Sequence, residues 1–297
     1  MKPTKPMRVE PTKGYSTKAL VFLAGACLCF GTSGTAQALG PDNSAPLVVG
    51  AARLLLGAIG LFALIKFREP KNLPRKLLWI GAFAVGAFQV TFFSGVRLTG
   101  VAMGTVIALG SAPAITAILN WLIYKKLPTI RWIFATSITA LGITLLFFSK
   151  GEIKIDLVGV LLSLGAGASY ASYALVSKEL LNRGVTPNVV MSTLFTRGAI
   201  LTAPLLLLLF NDNSWFFKLD SLAMILWLSF ISLTLAYFLY IRGLAQTSTS
   251  NAATITLIEP VTATFLAAVI LKEAITIGQW LGIILVIAGL ALVDRKN

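Results

Sequence analysis

Apolar residues run through this chain in blocks of about 20, separated by short polar stretches rich in turn formers, such as GPDNSAP and REPKNLP. A helix needs about that length to cross the roughly 30 Å hydrocarbon core of a bilayer. Ten spans are predicted. They run from Lys18 to Leu39, Pro46 to Lys66, Leu77 to Val96, Ala102 to Ile123, Ile130 to Phe148, Leu157 to Leu180, Asn188 to Phe210, Leu219 to Ile241, Asn251 to Leu271 and Gly278 to Val293. The last is short by about one turn. The connections are too brief to hold a soluble domain, so the pattern predicts an all-α polytopic membrane protein with ten transmembrane helices. A basic leader, an apolar stretch and the triplet Ala36, Gln37, Ala38 follow the order of a secretory signal. We expect no cleavage, because the repeat described below requires the first helix.

Composition narrows the chemistry. With 57% hydrophobic and 12% charged residues, the 297-residue chain is too apolar for a single soluble core. It contains no histidine, which excludes histidine metal sites, a Ser-His-Asp triad and histidine proton relays. Cys27 and Cys29, two apart on one predicted helix, point in different directions and are read as packing residues. No metal or other cofactor is expected.

The 25 Lys and Arg residues are distributed unevenly. Eighteen fall in the N-terminal leader, the even-numbered loops and the C-terminal tail, five fall on the other side, and Arg53 and Arg197 lie within spans. This bias predicts cytoplasmic termini in a cell (cytoplasmic) membrane. The net charge of +14 is a topology signal, with anionic membrane lipid as a partner, and not a nucleic-acid footprint.

The two halves resemble each other. A shift of 147 positions lays Pro113 on Pro260, Lys125 on Lys272, Thr129 on Thr276 and Gly142 on Gly289, and a shift of 144 lays Arg53 on Arg197. The expected organisation is a cytoplasmic tail over 1–17, a five-helix repeat over 18–150, a second over 151–293 and a C-terminal tail over 294–297. Five is odd, so the second repeat must sit inverted, the architecture of alternating-access transporters.

The segments APAITAILNWLIYKKLPT with ALGITLLF, and EPVTATFLAAVILKEAIT with GQWLGIILVIAGLAL, resemble the EamA-type branch of the drug/metabolite transporter superfamily. The resemblance implies two five-helix halves and a central cavity lined chiefly by the first, third, fourth, sixth, eighth and ninth helices. It also implies export, import or exchange of amino acids, their metabolites or other small polar solutes. The first half departs by having Ala112 opposite Glu259 and Lys126 opposite Glu273.

Glu259 is the only acidic residue well inside a span. It lies roughly 12 Å along its helix, near mid-bilayer. A charged carboxylate there costs on the order of 3 kcal/mol, so it must face protein or water, find a partner or take up a proton. Two readings stand. Glu259 either ties helices together through a hydroxyl, Arg53 or Arg197, or it lines the cavity, where it binds an ammonium group or carries a coupling proton. Pro260 frees the carbonyl of Thr256 for a solute or a hydroxyl. Arg53 and Arg197 are expected at the periphery of the cavity as structural residues, with anion binding as the rival role. Pro113 and Pro260 are read as structural.

Further solute-contact candidates are Thr32, Ser33 and Gln37 on the first helix, Gln89, Phe92 and Phe93 on the third, and Ser111 and Asn120 on the fourth. The sixth supplies Ser169, Tyr170, Tyr173 and Ser177, the eighth Tyr237 and Tyr240, and the ninth Thr256. Tyr170, Tyr173 and Ser177 recur at helical spacing on one face. Tyr also collects at interfaces and Ser or Thr bonds its own helix, so each has a bland alternative. Together they suggest an aromatic, weakly polar wall suited to a small zwitterion or amine. Gly100 with Gly104, and Gly278 with Gly282, have the spacing of close helix packing, in a monomer or a homodimer.

These features predict a secondary transporter of a small polar metabolite, an amino acid or amine-like solute. The alternatives are a lipid or lipid-linked-sugar flippase and a non-transporting receptor or scaffold. No nucleotide-binding P-loop occurs, and no catalytic constellation can be assembled, so the chain is not expected to be an enzyme.

Overall fold

A computed structural model describes residues 16–41, 43–64, 73–99, 101–125, 127–148, 156–210, 214–272 and 274–293. The leader, the C-terminal tail, Lys126 and Glu273 lie outside the described residues. The first half contains α1 (Thr17–Ala38), α2 (Pro46–Ala63), α3 (Arg75–Thr99), α4 (Val101–Tyr124) and α5 (Ile130–Phe148). The second contains α6 (Leu157–Asn182), α7 (Pro187–Thr202), α8 (Leu219–Ser229), α9 (Ala236–Leu244), α10 (Thr249–Ile255), α11 (Ile258–Ile270) and α12 (Ile277–Leu292). No strand occurs among the described residues. Eight stretches are helical, long and apolar enough to cross a membrane, and Ile130–Leu146 and Ile277–Leu292 are shorter apolar helices. This is a multi-pass membrane protein.

Two predicted spans are interrupted. A π-helical turn, Phe230–Leu235, joins α8 to α9, and the span predicted from Asn251 breaks at Thr256 and Leu257 between α10 and α11. The first-half proline does not break its helix, since α4 runs through Pro113.

Local chemistry sets the helix starts. Side chains of Ser16, Asp156 and Ser248 accept hydrogen bonds from the N–H groups of Ala19, Gly159 and Asn251, and Pro46 and Pro187 occupy first turns that need no donor. The sequence shift of 147 reappears in the backbone. Lys125 and Lys272, equivalent positions after α4 and α11, share the same left-handed φ of 56°. Thr129 caps Trp132 N–H at 3.2 Å, and its equivalent Thr276 caps Gln279 N–H at 3.2 Å.

The packing is also exchanged between the halves. The first helix of each half packs on the third and fourth spans of the other: α1 on α8, α9 and α11, α6 on α3 and α4. The equivalent helices α5 and α12 lie antiparallel along one seam. A methyl added at Gly142 would lie 2.7 Å from the Gly282 carbonyl oxygen, and one at Gly289 would lie 2.7 Å from that of Ala135. Residues 135 and 282 are themselves equivalent under the shift, so the two helices offer each other the same surface. Small residues let them approach to backbone contact, which is how apolar helices gain dispersion energy in lipid.

Candidate functional site

A cavity of about 650 Å³ runs from mid-span to the face where α1 and α11 end and α12 begins, from Glu259 and Tyr170 at its deep end to Ala38, Leu271 and Gln279. Its wall is largely apolar and aromatic, with Phe30, Phe88, Phe92 and Phe93 contributing rings. Such a lining with a few polar groups is typical of small-molecule sites.

The polar groups are concentrated at the deep end. Tyr170 hydroxyl meets Thr256 Oγ1 at 3.0 Å and donates to Tyr240 hydroxyl at 3.2 Å, while Tyr173 and Tyr237 hydroxyls meet at 3.3 Å. The four rings pack edge to face, for example 5.1 Å between the centroids of Tyr170 and Tyr173. This cluster ties α6, α9 and α10 together beneath the cavity. Tyr170→Phe removes one hydroxyl from two partners and is expected to lower stability by about 1 kcal/mol, read as a small drop in melting temperature. A Tyr170→Phe, Thr256→Val cycle in which the two effects simply add would show that the pair is not coupled.

Glu259 sits in the first turn of α11, just past the helix break, half-buried on the cavity wall. Its N–H donates to the Thr256 carbonyl at 3.0 Å, so the carbonyl expected to be freed by Pro260 is occupied by the turn itself. The first turn of a helix is a favourable place for a carboxylate, since the unpaired N–H groups and the dipole both stabilise negative charge.

Arg53 was expected at the periphery of the cavity, and the structure places it on the cavity wall. It is only 7% exposed, its Nε has no hydrogen-bond partner among the described residues, and its guanidinium lies 5.9 Å from the centre of the Phe93 ring. Gly50, one turn earlier on α2, makes room for that ring, because a methyl there would lie 2.9 Å from it. Among the described residues no hydrogen bond or ion pair joins Arg53 to Glu259, although each lies in the other's electrostatic field. Arg197, its sequence equivalent, lies elsewhere: it donates to the Thr193 carbonyl at 3.3 Å and stacks over Trp79.

Of the remaining candidates, Ser33, Gln37, Phe92, Phe93, Tyr170, Tyr237 and Thr256 line the cavity, as does Pro260. Six others do not. Thr32 bonds Ser232 Oγ at 2.8 Å and Ser111 abuts Gly167 of α6, both between helices. Gln89 and Ser177 are buried, each with one oxygen lacking a partner. Tyr173 and Tyr240 lie behind the wall in the tyrosine cluster. Thr105 and Gln279 line the cavity without having been expected there, since nothing in their sequence neighbourhood marks them.

The opposite face is closed by polar side chains. Asn120 of α4 donates to Thr249 and Ser250 hydroxyls at 2.9 and 3.0 Å. Glu179 accepts from Tyr124 hydroxyl at 3.3 Å and pairs with Arg183 at 2.7 Å. Lys178, buried, donates to the carbonyls of Leu244 and Thr247 at the end of α9. The helices α4, α6, α9 and α10 are thereby fastened on the side away from the cavity mouth.

A helical membrane protein with exchanged halves around a one-sided, largely apolar cavity with polar groups at its deep end has the build of a transporter. The EamA-like transporter family matches residues 17–148 and 157–294, and the chain belongs to that family. Over 277 residues it is 38% identical to the uncharacterised transporter YwfM of Bacillus subtilis, covering 92% of this chain and 93% of that one. It is 27% identical to protein PecM of Dickeya dadantii, covering 88% and 86% of the two chains. A crystal structure at 17% sequence identity superposes with a TM-score of 0.79 over 92% of this chain and 95% of its own, a likeness of fold.

Proposed function

We propose that the chain is a secondary transporter with ten membrane spans in two inverted five-helix repeats, moving an amino acid or amine-like solute by alternating access across the cytoplasmic membrane, both termini cytoplasmic. The observation that carries this reading is Glu259: a carboxylate with no side-chain partner among the described residues, on a broken helix, at the deep end of a cavity lined toward one face. The antiparallel seam of α5 and α12 supports the inversion, because equivalent helices of inverted repeats must run in opposite directions. By the charge bias, the cavity mouth faces outward and the fastened side faces the cytoplasm. A carboxylate kept unpaired near mid-membrane is costly unless a cationic solute or a proton completes it.

The test is counterflow by the purified chain in liposomes loaded with unlabelled amino acids or amines. Glu259→Gln keeps the shape and removes the charge, and is expected to slow counterflow at least about tenfold, the equivalent of one lost charge-assisted contact of about 1.4 kcal/mol. Unchanged rate, affinity and pH dependence would remove Glu259 from the mechanism. Absence of counterflow for every amino acid and amine would overturn the solute class.

A further inference from the structure

We propose that Arg53 is a carboxylate subsite facing Glu259, so that the cavity selects a solute carrying both charges over one carrying a single charge. This rests on the transporter reading above and adds a second recognition element to it. Three observations carry it. Arg53 is more than nine-tenths buried yet lines the cavity. Its Nε has no partner among the described residues, so part of a planar fork suited to two parallel N–H to carboxylate bonds is left unused. Glu259 lines the same space, and among the described residues no side chain, Arg53 included, bonds its carboxylate.

An Arg and a Glu that line one largely apolar enclosure with no ion pair between them are each incompletely satisfied. A zwitterion satisfies both at once, placing its carboxylate at Arg53 and its ammonium group at Glu259. The Phe93 ring beside the guanidinium holds the fork in orientation, since its face attracts the cation from one side. A solute with one charge satisfies one group and still desolvates the other, and burying a charge without its partner is penalised. The selectivity thus arises from the unsatisfied partner and not only from the added contact.

The experiment measures binding to the full chain in detergent with two matched trios: phenylalanine, phenethylamine and 3-phenylpropionate, and leucine, isopentylamine and 4-methylpentanoate. At least one amino acid should bind about tenfold or more tighter than both of its single-charge analogues. Arg53→Gln should weaken that amino acid about tenfold without weakening its amine, Glu259→Gln should bind the carboxylic acid no more weakly than the wild type does, and Arg53→Lys should restore part of the loss. The readout is a ratio between ligands within one variant, so differences in yield cancel, and the wild-type trios and Arg53→Lys carry the test if Arg53→Gln does not fold. An amine that binds as tightly as its amino acid overturns the subsite and leaves Glu259-dependent counterflow standing. Equal weakening of amino acid and amine by Arg53→Gln also overturns it. Failure of all six probes to bind, with no amino acid counterflow, overturns both this proposal and the solute class on which it rests.

Discussion

Gly289→Leu and Gly142→Leu are each expected to leave little or no monodisperse protein after detergent extraction. Already the first added carbon at Gly289 would overlap Thr139 Oγ1 and lie 2.7 Å from Ala135 O, and at Gly142 it would lie 2.7 Å from Gly282 O and 2.8 Å from Val286 N. Carbon atoms prefer neighbours at about 3.5–4.0 Å, so α5 and α12 would have to separate along the seam. Overpacking of this kind costs about 1–3 kcal/mol when side chains can shift, and more here, because the obstacles are main-chain atoms. Lipid offers no hydrophobic penalty against separation, since an opened seam is simply covered by acyl chains. The matched control is Gly110→Ala, where an added methyl meets nothing within 4 Å and the change should stay within about 0.5 kcal/mol. Size-exclusion profiles of the three variants decide the matter, and a normal peak for Gly289→Leu would show that the seam is not a close backbone contact.

The duplication behind that seam was legible in the sequence, although the contact itself was not. Gly142 and Gly289 align under the same shift as Lys125 and Lys272, which share one unusual backbone conformation, and as Thr129 and Thr276, which cap the same turn. Helix existence followed from length and apolarity. Direction of facing did not. A soluble helix shows its buried side by periodicity, but a helix between lipid and protein is apolar on both sides, so the sequence of α2 does not say which way Arg53 points. Depth was equally hidden. Spacing put Tyr170, Tyr173 and Ser177 on one face, and Tyr170 reaches the cavity while Tyr173 and Ser177, three and seven residues further on, lie below its floor. The break between α10 and α11 is a tertiary effect as well. Both halves carry the proline, yet α4 is held by α3, α5, α6 and α10, whereas α11 packs mainly on α1.

The asymmetry between the two faces leads to the other large effect: Lys178→Met combined with Asn120→Ala is expected to open the closed side. Lys178 fills two carbonyls at the end of α9, where the helix dipole also favours a cation, and Asn120 bridges α4 to the hydroxyls of α10. Hydrogen bonds to a charged group contribute about 1.5–3 kcal/mol each and a neutral pair about 1, so losing the two Lys178 bonds and the Asn120 set removes roughly 4–7 kcal/mol from the state in which these helices are fastened. If the helices part during transport, these bonds do not exist in the parted state, and the whole difference appears as a shift between states, on the order of a hundredfold or more. Ala253, buried on α10 at the cavity floor, reports it. With Cys27 and Cys29 replaced by alanine and Ala253→Cys introduced, a membrane-impermeant thiol reagent applied from the cytoplasmic side should label the double variant about a hundredfold faster than its parent. A fall in melting temperature with no gain in labelling would mean that the network holds the bundle together in every state and does not distinguish one face from the other.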